Sequence, residues 1–522
     1  MPSAPYHYAR EVRFDEFRQR VRRHSPSTLL PAIADRALAK LFRNQWKVPP
    51  RVETPWGLAA AARASILYGD ERRPEATPRD VELISAAFAS IKVLPANLGT
   101  DDFRVFMLRT AYEQLPYQAA LHAEIARTVA MFRDSLAATN PTVLTPEAFT
   151  ELLGGTVVEF VSVGWILFAA ALNNHGWFRD EWIDGPELAE ITEYLPPDTL
   201  RQLLDTVFAA DLDAVRRDGR TGNTTPPNDP QRERFAYNPL VSRPVVRMSP
   251  GHYLIPSPLL LLRRTSTTGI YYAAVDALGS SIGADLGAAF EHYVGRQLAQ
   301  APHQQIVSEI TYGKPEQRTV DWFLILDDLV LLIEVKAPRL TEPARLGDAR
   351  ALARDLERTI SKARQQIERT AALLAQPLPE ITAAGVPTDR PVRGLIVTLE
   401  PYHLVESGLF DQWIADTTVP TSAMSIHELE ELVSLSRADG GPGFGEQLTR
   451  IQQDSELRTW SPLGAVRHLW PTLVGDNPIL EIAGDELAWH PAGPDGATDD
   501  QKAANPPEPK WDSGNQPDST LS

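Results

Sequence analysis

Residues 319–340 read TVDWFLILDDLVLLIEVKAPRL. Two strongly apolar runs flank Asp327-Asp328, a short polar turn, and this pattern predicts a β-hairpin. With the two aspartates as a two-residue loop, Leu326 faces Leu329, and the same register sets Asp321 directly opposite Glu334. Opposed residues project from one face with their Cβ atoms about 4.5–5.5 Å apart. Lys336, two positions beyond Glu334, shares that face by the strand period of two. The rest of the hairpin is apolar on both faces (Phe323, Ile325, Leu332; Leu324, Ile333, Val335), so it is expected to be central and buried.

Three charges converging at one end of a buried hairpin call for a physical reason. Opposed like charges destabilise a sheet, and buried charges are paired or bind metals. A hard divalent cation, Mg²⁺ or Mn²⁺, between Asp321 and Glu334 would relieve the repulsion, since Mg²⁺ takes one or two carboxylates plus water and phosphate oxygens. The plainer alternative is a buried ion cluster in which Lys336 neutralises one carboxylate. Beside a metal, the Lys336 ammonium would hold hydroxide in line and stabilise anionic oxygen.

Outward from the hairpin, the pattern is a helix at 284–299, strands at 306–312, 320–326 and 329–337, a long helix at 348–375 and a strand at 392–399. This is a mixed α/β unit over 283–400. Residues 1–235 read as helical, with long apolar-periodic segments at 78–93, 103–140 and 146–172. Breaker-rich residues 219–233 read as a linker. Within 236–282, residues 244–248 and 252–255 flank Ser249-Pro250-Gly251 as a second hairpin. Residues 401–490 read as a helical extension, clearest at 425–437 and 444–455, and 491–522 as a disordered acidic tail. The expected fold class is therefore multidomain α/β.

In that order of elements the chain resembles the PD-(D/E)XK nuclease superfamily over about 283–400, on Asp321 and the Glu334-Val335-Lys336 triplet. Position 320 is Val where the motif's name has Pro. The resemblance implies a restriction-endonuclease-like αβββαβ core that hydrolyses DNA or another nucleic acid. It implies that Asp321, Glu334 and the Val335 carbonyl hold Mg²⁺ or Mn²⁺, and that Lys336 orients or deprotonates the attacking water. A helix glutamate common in that family matches Glu291, while Lys362, Gln365 and Gln366 resemble polar residues placed near substrate. Arg339 joins them as a candidate nucleic-acid contact. So does the i+4 stripe Arg350, Arg354, Arg358 and Lys362, which could follow a phosphate backbone or form a solvated, salt-bridged face with Asp355 and Glu357. A catalytically silent binding module on the same fold is the alternative reading.

Composition narrows the rest. The 522 residues carry 51 Lys+Arg against 68 Asp+Glu, a net −17, which argues against a generally basic nucleic-acid coat. The first 53 residues hold 11 Lys+Arg and 5 Asp+Glu, either a solvated helix face or a surface for nucleic acid or an activating partner. With no cysteine, thiol catalysis, disulfides and thiolate metal sites are excluded. No signal-like segment is read, 157–172 is too short to span a bilayer, and a cytoplasmic location is expected. Gly279-Ser280-Ser281-Ile282-Gly283 matches a nucleophile elbow, the rival serine-hydrolase reading, but Ser281 fits better as a helix N-cap. There is no H-x-x-x-H pair and no Walker A sequence, and Gly440–Gly445 reads as a connection. Restriction, repair and anti-phage defence all remain open.

Overall fold

The decisive hairpin forms in the expected register. The computed structural model describes residues 12–42, 53–91, 100–117, 121–221, 233–302, 304–376, 378–403, 405–454, 462–485 and 487. The acidic tail and most of the 219–233 linker lie outside them.

Four short strands, β1 (Trp177–Arg179), β2 (Ala209–Asp211), β3 (Val245–Ser249) and β4 (His252–Leu254), make a small sheet in the order β1-β4-β3-β2. The 244–255 hairpin forms as β3 and β4, and it pairs outward with β1 and β2 from a region expected to be mostly helical. Val246 and Leu254 face a core built on the helices Phe14–Val21, Pro55–Tyr68 and Pro78–Ala89. Val245 and Tyr253 face the largest core, which continues into the rest of the chain.

The segment expected as one helix over 146–172 is two, Pro146–Leu153 and Val157–Asn173. The break is at Gly154, whose φ of +76° suits glycine, and Thr156 and Glu159 close a capping box on the second helix. The stretch Pro146–Asn173 is apolar enough to cross a membrane by length and composition, and 67% of its most apolar window is buried within the protein.

The second sheet contains β5 (Gln305–Ser308), β8 (Trp322–Ile325), β9 (Val330–Lys336), β10 (Val392–Thr398) and β11 (Thr421–Ser425), while β6 (Thr311–Tyr312) and β7 (Gln317–Arg318) form a separate two-stranded ribbon. Sheet order is β11-β10-β9-β8-β5, antiparallel from β5 through β9 and parallel from β9 to β11. The expected first strand over 306–312 is therefore split between β5 and β6. Strand β11 lies in a region expected to be helical and extends the sheet past residue 400.

Both faces of this sheet are covered, as its doubly apolar strands require. Phe323, Ile325, Val330, Leu332 and Ile396 pack under the long helical segment, through Leu352, Leu356, Ile360 and Ile367. That segment runs Ala349–Leu356, a π-turn at Glu357–Ser361, and Lys362–Ala375. Leu324, Leu331, Ile333 and Val335 face the helix Gly283–Leu298, through Phe290, Tyr293 and Val294. Asp285 ties the start of this helix to the N-terminal region, accepting the N–H groups of Thr142, Val143 and Leu144.

A buried polar network joins the regions. Arg127 sits on Glu430 in a two-pronged pair at 2.7 and 2.5 Å, both side chains 2% exposed. Tyr293 donates to the same carboxylate, Gln297 donates to Tyr293, and Asn477 donates to Gln297. Removing one member of such a pair strands the other charge at a cost of about 3–5 kcal/mol. Glu430→Ala is accordingly expected to lower stability by that amount in chemical denaturation, and Arg127→Met/Glu430→Met together by much less.

Candidate active site

Strand pairing builds the site row by row. The β8–β9 ladder runs from Ile325↔Val330 to Trp322↔Ile333, so the next pair outward is Asp321 with Glu334. The Asp321 carboxylate accepts the N–H of Val335 at 2.7 Å, which locks it against that end of β9. Its neighbours two positions on, Phe323 and Ile325, belong to the core beneath the long helical segment, as do Val330 and Leu332. By the pleat, Asp321, Glu334 and Lys336 therefore share one face.

Glu334 is 1% exposed. Its Oε1 pairs with the Lys336 ammonium, while Oε2 is buried with no hydrogen-bond partner. Burial first, and Asp321 second, push its carboxyl up to about 8 against the pull of Lys336. Asp321 is also raised by burial, opposed by the Val335 N–H, Lys336 and Arg318.

Glu291 enters from the helix Gly283–Leu298. The Trp322 indole donates to the Glu291 carbonyl at 3.2 Å, and a Cβ on Gly295, one turn further on, would lie 2.4 Å from the same ring. Glycine there lets the helix press onto β8 and carries Glu291 to the carboxylate cluster. Burial, Asp321 and Glu309 raise its carboxyl to about 7.

Glu309 was not foreseen. The β5–β8 ladder ends at Ser308↔Trp322, so the following pair is Glu309 with Asp321. Extended one residue past the ends of β5 and β8, these registers set Glu309 and Asp321 in line with Glu334 of β9. Arg318 on β7 holds Glu309 at 3.0 Å. Burial raises the Glu309 carboxyl, Arg318 opposes this, and Asp321 adds to it.

The proposed nucleic-acid contacts separate into two groups. Arg350, Arg354, Arg358, Lys362 and Gln365 are exposed along the outer face of the long helical segment. Asp355 is turned inward, accepting the N–H and hydroxyl of Thr341, and reaches only Arg358, at 3.7 Å. Among the described residues, the Arg358–Asp355 pair is what this face shows of the salt-bridged alternative. Gln366 instead donates to the Thr319 carbonyl at 2.6 Å and braces the entry to β8. Arg339 is corrected as a surface contact. It is 4% exposed, pairs with Glu400 at 2.9 Å, donates to Thr268 and lies over Tyr271 and Tyr272, so its guanidinium is held within the fold, with only Nε buried and unpartnered.

Ser281 is no N-cap. It lies in the 3₁₀ turn Gly279–Ile282 and donates to the Leu278 carbonyl at 2.8 Å, and the helix begins after Ile282 without a side-chain cap. No parallel strand leads into it, as an elbow needs. Ser281→Ala is expected to change neither melting temperature nor any hydrolytic rate by more than the error of measurement.

Among the described residues, no three His, Asp or Glu side chains converge tightly enough to form a metal shell by themselves. The donor set still fits a hard cation. A buried, unpartnered carboxylate oxygen on Glu334 and the adjacent Asp321 carboxylate are the one or two protein carboxylates that Mg²⁺ ordinarily uses. No protein-family model, curated protein or solved structure matches this chain.

Proposed function

We propose that the protein is a metal-dependent nuclease of the PD-(D/E)XK kind, with a restriction-endonuclease-like core, hydrolysing phosphodiester bonds of nucleic acid, DNA in the first instance. One observation carries the reading. Glu334 is buried with one oxygen on Lys336 and the other without a partner, beside a second, half-buried carboxylate, that of Asp321. A purely structural ion pair would satisfy both oxygens.

Asp321, Glu334 and the Val335 carbonyl would hold Mg²⁺ or Mn²⁺, which supplies charge neutralisation and a water of lowered pKa. Lys336 orients that water. Hydrolysis forms a bond from the water oxygen to phosphorus and breaks the ester bond on the opposite side. The water proton would pass to Glu291, the glutamate that the helix Gly283–Leu298 brings to the cluster, and the departing oxygen would be protonated from solvent. Arg350, Arg354, Arg358 and Lys362 offer an exposed cationic edge for the strand. The net charge of −17 disfavours non-specific duplex binding, which is consistent with a need for a particular substrate structure or an activating partner.

The test is incubation of the full chain with plasmid, linear and single-stranded DNA and with RNA, with and without Mg²⁺ or Mn²⁺. Metal-dependent cleavage of any of these supports the reading. Nucleic acid bound but left intact under all metal conditions would favour the silent binding module.

A further inference from the structure

The carboxylate cluster is larger than the motif requires. Asp321 and Glu309 act electrostatically on both Glu291 and Glu334, Lys336 acts on all four carboxylates, and Arg318 acts on Glu291, Glu309 and Asp321. Fully ionised, the cluster exceeds those cations by two negative charges, which is the charge of one divalent cation. Arg318 is fixed by backbone pairing, Thr311↔Arg318 across the β6–β7 ribbon. Its side chain is 72% exposed, whereas Glu309 is 24% exposed. The guanidinium therefore spans from the cluster to solvent, where a substrate would arrive. A guanidinium presents five donors in a rigid fork, and only some can be used by the one Glu309 contact.

Building on the nuclease reading, we propose that the site holds a single divalent cation and that Arg318, tethered by Glu309, supplies the second positive charge by contacting the scissile phosphate. In two-metal enzymes a pair of cations about 3.5–4 Å apart clamps the attacking and leaving oxygens. Here the place of a second cation, beside Glu309, is taken by the Arg318 guanidinium at 3.0 Å. The buried, unpartnered Oε2 of Glu334 marks the position left for the metal. Glu309 is then a positioning residue and Arg318 a catalytic one.

The experiment counts bound Mn²⁺ on the full chain, by calorimetry and by electron paramagnetic resonance, alongside cleavage. Wild type is expected to bind one Mn²⁺. Arg318→Ala, an exposed change that leaves the folded core untouched, should expose Glu309 and Asp321 to a second, weaker Mn²⁺. Arg318→Ala/Glu309→Gln should return to one. In cleavage, Arg318→Ala should lose at least ~10²-fold at low metal, as loss of one transition-state donor does. It should regain part of that rate with a sigmoidal dependence on Mn²⁺. Two Mn²⁺ in wild type, or a single site and unchanged rate in Arg318→Ala, would overturn the proposal. Absence of cleavage by wild type under every condition would instead overturn the nuclease reading, and the Mn²⁺ counts would still decide the charge assignment.

Discussion

Glu334→Gln is expected to abolish metal-dependent cleavage while making the metal-free protein more stable than wild type at pH 7, by up to about 3 kcal/mol, because the unfolded wild-type chain gains from ionising this carboxyl and the amide does not. The two halves of that result have one cause. Burial holds the Glu334 carboxyl protonated up to about pH 8, so without metal the wild-type group is already mostly neutral, and an amide of the same shape replaces it at little cost. With metal, the carboxylate must ionise and become a ligand, which an amide cannot match. Lys336→Ala tests the second role. It removes the one cation bonded to Glu334, and a loss of at least ~10²-fold is expected from a group that orients water and stabilises anionic oxygen. Folding should survive, because Glu334 can take up a proton in place of its partner. Cleavage rates at saturating Mn²⁺, read beside thermal melting of each variant, give the pattern. An active Glu334→Gln, or an inactive variant that has also lost its fold, would remove the support for the assignment.

The hairpin was legible because its signals are local. A polar two-residue turn between two continuous apolar runs sets one register, and a slip of one residue would have moved every side chain to the other face. The observed ladder from Ile325↔Val330 to Trp322↔Ile333 is that register. What escaped is what depends on distant pairing. Strand β11 reads TSAMS, short and small-chained, and becomes a strand only because β10 offers a parallel edge to it. Likewise β1 and β2 are three residues each and are defined by the β3–β4 hairpin they pair with.

The candidate site shows the same division. Asp321, Glu334 and Lys336 follow from one hairpin, whereas Glu309 joins the row only through the pairing of β5 with β8 across a separate ribbon. The register of the third strand would have revealed it, but the apolar run at 306–312 does not mark where β5 ends. Arg339 was misjudged because its sequence neighbours are loop-like, while its partners Thr268, Tyr271, Tyr272 and Glu400 lie far away along the chain. On the long helical segment, by contrast, the exposed stripe was correctly placed, since helical spacing alone decides which side chains share a face.

The carboxylate cluster should cost metal-free wild type stability as pH rises from about 4.5 to 8, and a divalent cation should reverse that contribution. Glu291 and Glu334 keep their protons in the folded state up to about 7 and about 8, and Asp321 and Glu309 are raised in the same direction. In the unfolded chain these groups ionise near their ordinary values, so across this window the folded state binds more protons. Their contribution to stability then falls with pH, because the unfolded state binds fewer. Lys336 and Arg318 oppose the effect but do not cancel it. Asp285 works the other way: its carboxyl is buried but held low by the backbone N–H groups it accepts, so its contribution is lost on acidification. The comparison that isolates the site is therefore wild type against Glu334→Gln, whose difference in unfolding free energy should shift by several kcal/mol over the window, at about 1.4 kcal/mol per unit of pKa shift. Bound metal requires the ionised carboxylates and so gains affinity with pH, stabilising by about 2.7 kcal/mol at a hundredfold excess over its dissociation constant. In thermal melts, Mg²⁺ or Mn²⁺ should raise the melting temperature more at pH 8 than at pH 6 in wild type and leave Glu334→Gln nearly unmoved. A wild-type-minus-variant difference that is flat in pH, with no metal shift in either protein, would mean that Glu334 and Lys336 form a closed ion pair and that no cation belongs between Asp321 and Glu334.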